Sequence, residues 1–336
     1  MPGIGVVFNP KSRHNLRDPQ GGMRLSRALG AHGVVRTSRS LQELHSIAED
    51  FHGLGIDVLC ISGGDGTNTV TLTGFLKVYG QSLLPPVALL RGGTMNTVAN
   101  SVGVRRGDPL SLLKKIVAIY AQSGAEGLKK TERHVLHVVP AGRAEGQYGF
   151  LFGTGVVHGF LAEYYAAGDP TPFVAAETLA RGIGSAFVGG SMIRRIAQPF
   201  RGSVVLDDGT AWPERDYLAV AAGTVAHIGL QFKPFYRYAE RPCAFHVLGI
   251  YASPAEFVRE LPRIHGARPM HPHRAFDAVS SRMVVRSAHG PLKYMIDGDL
   301  HIAPPDVGPN GRPGDAPGEV TVAVGPRVRL VVEPGR

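Results

Sequence analysis

Three short segments combine glycine with acidic, amide or hydroxyl residues in patterns suited to phosphate chemistry. The first is Gly63-Gly64-Asp65-Gly66-Thr67, which follows the strongly strand-like run Asp57–Ser62 and precedes a helical pattern from Asn68 to Tyr79. Glycines after a buried strand let main-chain N–H groups approach phosphate oxygens, and a helix starting there adds partial positive charge. Asp65 changes the chemistry. A carboxylate beside phosphate is repelled unless a Mg²⁺ ion or a substrate proton lies between them, so Asp65 points to metal handling or base work. The simpler alternative is a tight turn in which Asp65 caps the helix. The second segment, Arg91-Gly92-Gly93-Thr94, separates a strand pattern at Pro86–Leu90 from a helical one at Met95–Val102. The third, Asp297-Gly298-Asp299, reads on its own as an ordinary D-G hairpin turn. Other nucleotide and hydrolase patterns are absent: there is no G-x-x-x-x-G-K-[ST], no third glycine at dinucleotide spacing after Gly64-x-Gly66, and no H-E-x-x-H, C-x-x-C or G-x-S-x-G.

The elements that must position these turns alternate strand and helix through the first 125 residues or so, the pattern of a parallel sheet covered by helices. Gly3–Phe8 and Gly33–Arg36 read as strands. Asp18-Pro19 reads as the start of a helix ending at Gly30. Ser40 and Glu43 form a capping box for a helix stopped by Gly53, with Leu41, Leu44, Ala48 and Phe51 on its buried face. Asp108-Pro109 opens one more helix, to about Gln122. Right-handed crossovers put both glycine turns at the same edge of such a sheet.

From about residue 131 the pattern becomes β-rich, with a hairpin at Asp207-Asp208-Gly209 and strands near Tyr217–Ala222, Ala244–Tyr251, Met283–Arg286 and Lys293–Ile296. A region of small and apolar residues, Phe173 to Phe200, reads as helical, and Ser253-Pro254 caps a short helix to about Leu261. Ala303–Gly318 reads as a loop and Glu319–Val332 as a hairpin. The fold class expected is α/β: an N-terminal doubly wound, mostly parallel sheet domain and a C-terminal, mostly antiparallel β-sandwich domain.

Composition agrees with two folded domains. The 336 residues exceed one ordinary core, 43% are apolar and 19% charged. Net charge is +9, which favours anionic partners. The Lys and Arg residues are scattered, without the dense runs or aromatic interleaving of a nucleic-acid surface, so nucleic acid is not expected as a partner. Cys60 and Cys243 are the only cysteines, so neither a disulfide framework nor a Cys-based zinc site is expected. The absence of a secretory pattern and of any 18-residue apolar run suggests a cytoplasmic protein that does not span a membrane.

Taken together, the three turns and the Asn9-Pro10-Lys11-Ser12 run after the first strand resemble lipid kinases of the diacylglycerol kinase and sphingosine kinase type, which share a fold with NAD kinases. The blocks that carry the resemblance are Asn9 to Ser12, Gly63 to Thr67 followed by Asn68, Gly93-Thr94-Met95-Asn96, and Asp297-Gly298-Asp299, which looks like the family's Asp-Gly-Glu. The layout matches over nearly the whole chain. The resemblance implies a nucleotide cleft between residues 1–130, with the closing segment 305–336 packing back onto them, and a substrate domain at 131–304. It implies ATP held by Asn9, Pro10, Lys11, Ser12, Thr37, Gly63, Gly64, Asp65, Gly66, Thr67, Asn68, Arg91, Gly93, Thr94 and Asn96. Mg²⁺ would be oriented by Asp65, and Asp297 or Asp299 would serve as base toward the hydroxyl of diacylglycerol or a long-chain base. Other acceptors on the same fold, such as NAD, and a catalytically weakened nucleotide- or lipid-binding protein are the alternatives. The partners implied are a lipid substrate and, transiently, an anionic surface on the inner side of a membrane; a homodimer is left open.

Four positions depart from the family pattern: Thr69 and Thr97 stand where it carries acids, Arg91 where it carries Pro, and Asp299 where it carries Glu. Arg91 is expected to compensate by pairing with phosphate. The acids that hold a structural Mg²⁺ in some bacterial members are not found, and Pro234–Pro242 occupies their region. Among the histidines, His265, His271 and His273 read as surface residues and His134 and His137 as strand residues. His158 lies in a glycine-rich stretch that could line a cleft. Phe173–Phe200 reads first as packed helix, with an acyl-chain entrance rimmed by Arg181, Arg194 and Arg195 as the functional alternative.

Overall fold

The computed structural model describes residues 3–168, 171–303 and 317–332, and the chain divides into two units, Met1–Arg133 with Arg327–Arg336, and His134–Pro326. In the first unit the elements run β1 (Ile4–Phe8), α1 (Arg13–Leu16), α2 (Gly21–Leu29), β2 (Gly33–Thr37), α3 (Leu41–Leu54), β3 (Val58–Ser62), α4 (Asp65–Tyr79), β4 (Val87–Leu89), α5 (Thr97–Ser101) and α6 (Pro109–Ser123). The strands pair in parallel in the order β2-β1-β3-β4, and Leu330 of the closing strand pairs in parallel with Val87. β1, β3 and β4 are buried at every position because helices cover both faces, so they read as continuous apolar runs. One face packs Ile4, Val6, Val58 and Cys60 against Leu25 and Leu29 of α2 and Leu112 and Ile116 of α6. On α3 and α4, Phe51 and Phe75 meet edge-on, 6.0 Å between ring centres. Gly5 is required here: a Cβ on it would lie 2.7 Å from the Phe51 ring.

Several boundaries differ from the sequence reading, each for a local reason. Asp18 does not cap α2; its carboxylate pairs with Arg24, and the helix begins at Gly21 after an additional short helix, α1. α3 runs through Gly53 to Gly55, whose left-handed conformation (φ 61°) stops it. Its capping box is half made: the Ser40 hydroxyl accepts from the Glu43 N–H, but the Glu43 carboxylate accepts from the N–H of Arg39. α4 starts at Asp65 and not Asn68, so the last three residues of the glycine turn form its first turn. α5 starts late because Asn96 is left-handed (φ 47°).

The second unit continues with β5 (Lys130–Pro140), β6 (Gln147–Gly149), β7 (Leu151–Thr154), α7 (Val156–Ala166), α8 (Pro172–Val188), α9 (Ser191–Ile196), β8 (Phe200–Leu206), β9 (Ala211–Tyr217), β10 (Ala219–Gly223), β11 (Phe245–Ile250), α10 (Pro254–His265), β12 (Ala275–Ser280), β13 (Arg282–Ser287), β14 (Leu292–Ile296), β15 (Asp299–Ala303) and β16 (Glu319–Val331). Six strands form an antiparallel sheet in the order β12-β11-β10-β7-β14-β15, and a second antiparallel set runs β16-β13-β8-β9. Phe152, Phe245 and Tyr294 from the first meet Val204, Met283 and Val322 from the second in one core, the arrangement of a β-sandwich.

The hairpin at Asp207–Gly209 joins β8 to β9, and Phe173–Phe200 is helical as α8 and α9, running into β8. α10 has the full Ser253–Glu256 capping box and continues past Leu261 to His265. The closing segment is not a hairpin. β16 is one strand from Glu319 to Val331 and runs through Gly325-Pro326. Most of the expected loop at 303–318 lies outside the described residues. No helix among the described residues is long and apolar enough to cross a membrane.

Candidate active site

In the first unit Phe8, Thr37 and Ser62 end their strands side by side, so the residues that follow them share one rim of the sheet. Asn9 is fixed by three bonds: its N–H donates to the Ser62 carbonyl (3.1 Å), its Nδ2 to Thr67 Oγ1 (2.8 Å), and its Oδ1 accepts from the Lys11 N–H (2.9 Å). Asn15 adds a brace that sequence reading passed over. It is 4% exposed, and its Nδ2 donates to the carbonyls of Asn9 (2.8 Å) and Ser62 (3.0 Å). A single amide on a four-residue helix has no periodicity to announce it.

The two glycine turns pack backbone to backbone on this rim. A Cβ on Gly93 would lie 2.3 Å from Gly64 Cα, and one on Gly92 would lie 2.9 Å from Gly63 N. Close approach of the turns to each other therefore demands these glycines whatever ligand they meet. Asp65 clamps the pair: Oδ2 accepts from the Thr97 N–H (2.9 Å) and Oδ1 from the Val98 N–H (3.3 Å). It opens α4, but its carboxylate caps α5. Burial pushes this carboxyl above the usual range, opposed by the Thr97 and Val98 donors and by nearby Arg91.

Asn96 locks the second turn, with Oδ1 accepting from the Gly93 N–H (3.2 Å) and Nδ2 donating to the Gly93 carbonyl (2.8 Å). Arg91 is spent inside the protein: Nη1 donates to the Val104 carbonyl (3.1 Å) and Nη2 to Asn100 Oδ1 (2.7 Å). Thr94 accepts from Arg13 (3.4 Å), and the Lys11 ammonium donates to the Arg39 carbonyl (2.8 Å). Two polar atoms of the rim are buried without a hydrogen bond from the described residues, Ser12 Oγ and Asn68 Oδ1.

In the second unit Asp297-Gly298 is the tight turn between β14 and β15, both residues having positive φ (46° and 99°). Its two aspartates differ. Asp297 is 4% exposed, and its carboxylate accepts from the N–H groups of Phe150 (3.0 Å) and Leu151 (2.8 Å) at the start of β7. Asp299 is half-buried, and its carboxylate accepts no hydrogen bond from the described residues. Burial alone pushes its carboxyl up.

Residues 3–124 match the family model of the diacylglycerol kinase catalytic domain. The chain carries a diacylglycerol kinase catalytic domain. It is thus a kinase, a phosphotransferase with an alcohol acceptor. No curated protein matches it in sequence. Among solved structures the kinase is similar to a diacylglycerol kinase from Bacillus anthracis strain Sterne (12% identity, TM-score 0.61, covering 99% of this chain and 97% of that one). It is also similar to a second protein of that strain assigned as a diacylglycerol kinase (13% identity, TM-score 0.65, 99% and 96% covered). At such identities the likeness is one of fold.

The departures from the family pattern fit their surroundings. Thr69 is 1% exposed, and its Oγ1 donates to the Asp65 carbonyl (3.2 Å), so a carboxylate there would lose its water without a countercharge. Thr97 serves Asp65 through its N–H. Pro234–Pro242 holds a charge network in place of an acidic cluster. Arg237 and Tyr236 both donate to Asp277 (2.5 Å each), which also meets buried His246 (3.1 Å). Burial works against the Asp277 charge, yet these donors hold it at about 2.

His271 bonds Glu260 (2.7 Å) and His265 packs edge-on against Phe232. His134 bonds the Gly325 carbonyl (2.9 Å) and His137 stacks on Tyr148. No group of three or more His, Cys, Asp or Glu able to hold a metal occurs among the described residues. His158 lies on α7, its pKa lowered by burial and by Lys293 and His301.

Proposed function

We propose that this kinase transfers the γ-phosphate of ATP to the hydroxyl of a membrane lipid of the diacylglycerol or long-chain-base type. The observation that carries the reading is the pairing of the two glycine turns at the rim where the parallel strands end, inside the matched catalytic domain. α4 has Gly64 as its N-cap and no side-chain cap, so its first main-chain N–H groups are available to phosphate oxygens. The residues fit the nucleotide. Ser12 Oγ is a buried donor suited to a phosphate oxygen, and Asn68 Oδ1 is a buried acceptor suited to a hydroxyl, an amine or a metal. Asn9, Thr37 and Thr94 belong to the same nucleotide side, and Lys11 and Arg13 offset phosphate charge.

Mg²⁺ on the phosphates would neutralise charge developing in transfer, with Asp65 and Asn68 as the protein's oxygen donors; few are needed where phosphates supply the rest. On the acceptor side the base is Asp299, with Asp297 as the anchor of its turn. As the lipid oxygen attacks the γ-phosphorus, the β–γ bridging P–O bond breaks, ADP leaves, and the hydroxyl proton passes to Asp299. Burial suits this role, because a carboxylate of raised pKa is a stronger base near neutrality. A lipid acceptor brings the working enzyme transiently to a membrane surface. The net charge of +9 favours an anionic leaflet, and exposed Phe173, Phe187 and Val188 on α8 offer apolar contact to it.

The test is purified protein with labelled ATP, Mg²⁺ and an acceptor panel of diacylglycerol, a long-chain base and NAD. Label in a phospholipid is expected. Label in NAD, or in none of the three, would overturn the reading.

A further inference from the structure

The turn that presents Asp299 is held from two directions. Asp297 ties its front to β7 through the N–H groups of Phe150 and Leu151, and through its own N–H to the Leu151 carbonyl (3.1 Å). Asp299 opens β15, which among the described residues pairs with β14 only, at the end of its sheet. First residues of edge strands are where local opening is least costly. The remaining constraint comes from α7. The hydroxyl of Tyr165, near the end of that helix, donates to the Gly298 carbonyl (2.9 Å). That carbonyl belongs to the peptide unit joining Gly298 to Asp299, so the bond sets the plane from which the Asp299 side chain departs. α7 itself packs on β14 and β15, and the Tyr165 ring rests against Tyr164 (5.2 Å between centres), so the hydroxyl is aimed from a packed element.

We propose that Tyr165 is a positioning residue for phosphoryl transfer, acting through Asp299. The inference rests on Asp299 being the base. Position matters in such a role because proton transfer requires the base within hydrogen-bond reach of the hydroxyl, and small displacements cost rate. Tyr165→Phe removes one hydroxyl from a partly exposed ring and leaves the ring contacts in place.

The experiment measures kcat, KM for ATP, KM for lipid and melting temperature for Tyr165→Phe, Asp299→Asn and the double variant, with residual rates followed by labelled ATP. Tyr165→Phe is expected to lower kcat about five-fold, the scale of one neutral hydrogen bond, with KM for ATP and melting temperature little changed. In the Asp299→Asn background the same substitution is expected to cost nothing further. The proposal is overturned by an unchanged kcat, or by an equal fractional loss in both backgrounds, which would make Tyr165 independent of Asp299. If Asp299→Asn itself turned over at the wild-type rate, the assignment of the base would fall first. If Asp299→Asn were dead and Tyr165→Phe unaffected, only the role of Tyr165 would fall.

Discussion

The paired glycine turns of the first unit and the Asp297–Asp299 hairpin of the second both carry an Asp-Gly step, and only the hairpin adds a second aspartate, Asp299, that is used differently. Asp65 accepts from two main-chain N–H groups of the neighbouring turn, and Asp297 from two at the start of β7. Both act as internal clamps. Asp299 is half-buried and, among the described residues, has none of a clamp's donors. A buried carboxylate provided with N–H partners stabilises the chain that surrounds it, whereas one left without them is costly to the fold and reactive toward a proton. The residue type is the same in the three cases; the donors around it decide the role.

The comparison can be broken most severely at the glycines. Gly93→Ala puts a Cβ on top of Gly64 Cα, backbone against backbone, and should reduce nucleotide binding at least 100-fold or unfold the first unit, a loss on the order of 3 kcal/mol or more. Titration with a fluorescent ATP analogue, alongside thermal melting, reads both. Wild-type binding would mean that the turns separate without consequence.

Asp297→Asn should come next, because its amide cannot accept from all the donors that Asp297 serves. A loss of about 2 kcal/mol is expected in urea unfolding, and Asp65→Asn should behave alike while raising KM for ATP more than it lowers kcat.

Asp277 calibrates the scale, since its clamp is made of side chains. With its carboxyl held at about 2 in the folded protein, it contributes about 2 kcal/mol above the unfolded value near 4, and that contribution is lost as pH falls toward 2. Asp277→Asn should therefore be destabilised at pH 7 and converge with wild type near pH 2.

The smallest effect has the opposite sign. The raised pKa of Asp299 favours folding below the ordinary aspartate range and disfavours it as pH rises through the folded value, so Asp299→Asn should melt slightly higher than wild type at neutral pH. A lower melting temperature would place Asp299 among the clamps.

Much of the architecture was legible in sequence, since parallel strands buried on both faces read as apolar runs and strand–turn–helix repeats fix the order of units. Gly63–Thr67 stood out as chemistry for the same reason, whereas Asn9 and Asp297–Asp299 were singled out through the family resemblance. What sequence could not supply was who donates to whom. That Asp65 also clamps the second turn was not legible, because the N–H groups that engage it, at Thr97 and Val98, lie 32 and 33 residues away. Arg91 looked free for phosphate because its partners at Asn100 and Val104 form only after the chain turns back. Asn15 was silent altogether. The closing hairpin was misread because alternation along Glu319–Val332 does not by itself show whether the segment turns back or continues as one strand.

The most direct test is the rate of phosphoryl transfer as a function of pH in wild type and in Asp299→Asn. The account predicts a wild-type rate that rises through a pKa above the usual aspartate range. In the variant that rise disappears and the rate drops on the order of 10²–10⁴-fold, with ATP binding intact. A variant that kept the wild-type rate and the same dependence on pH would contradict it.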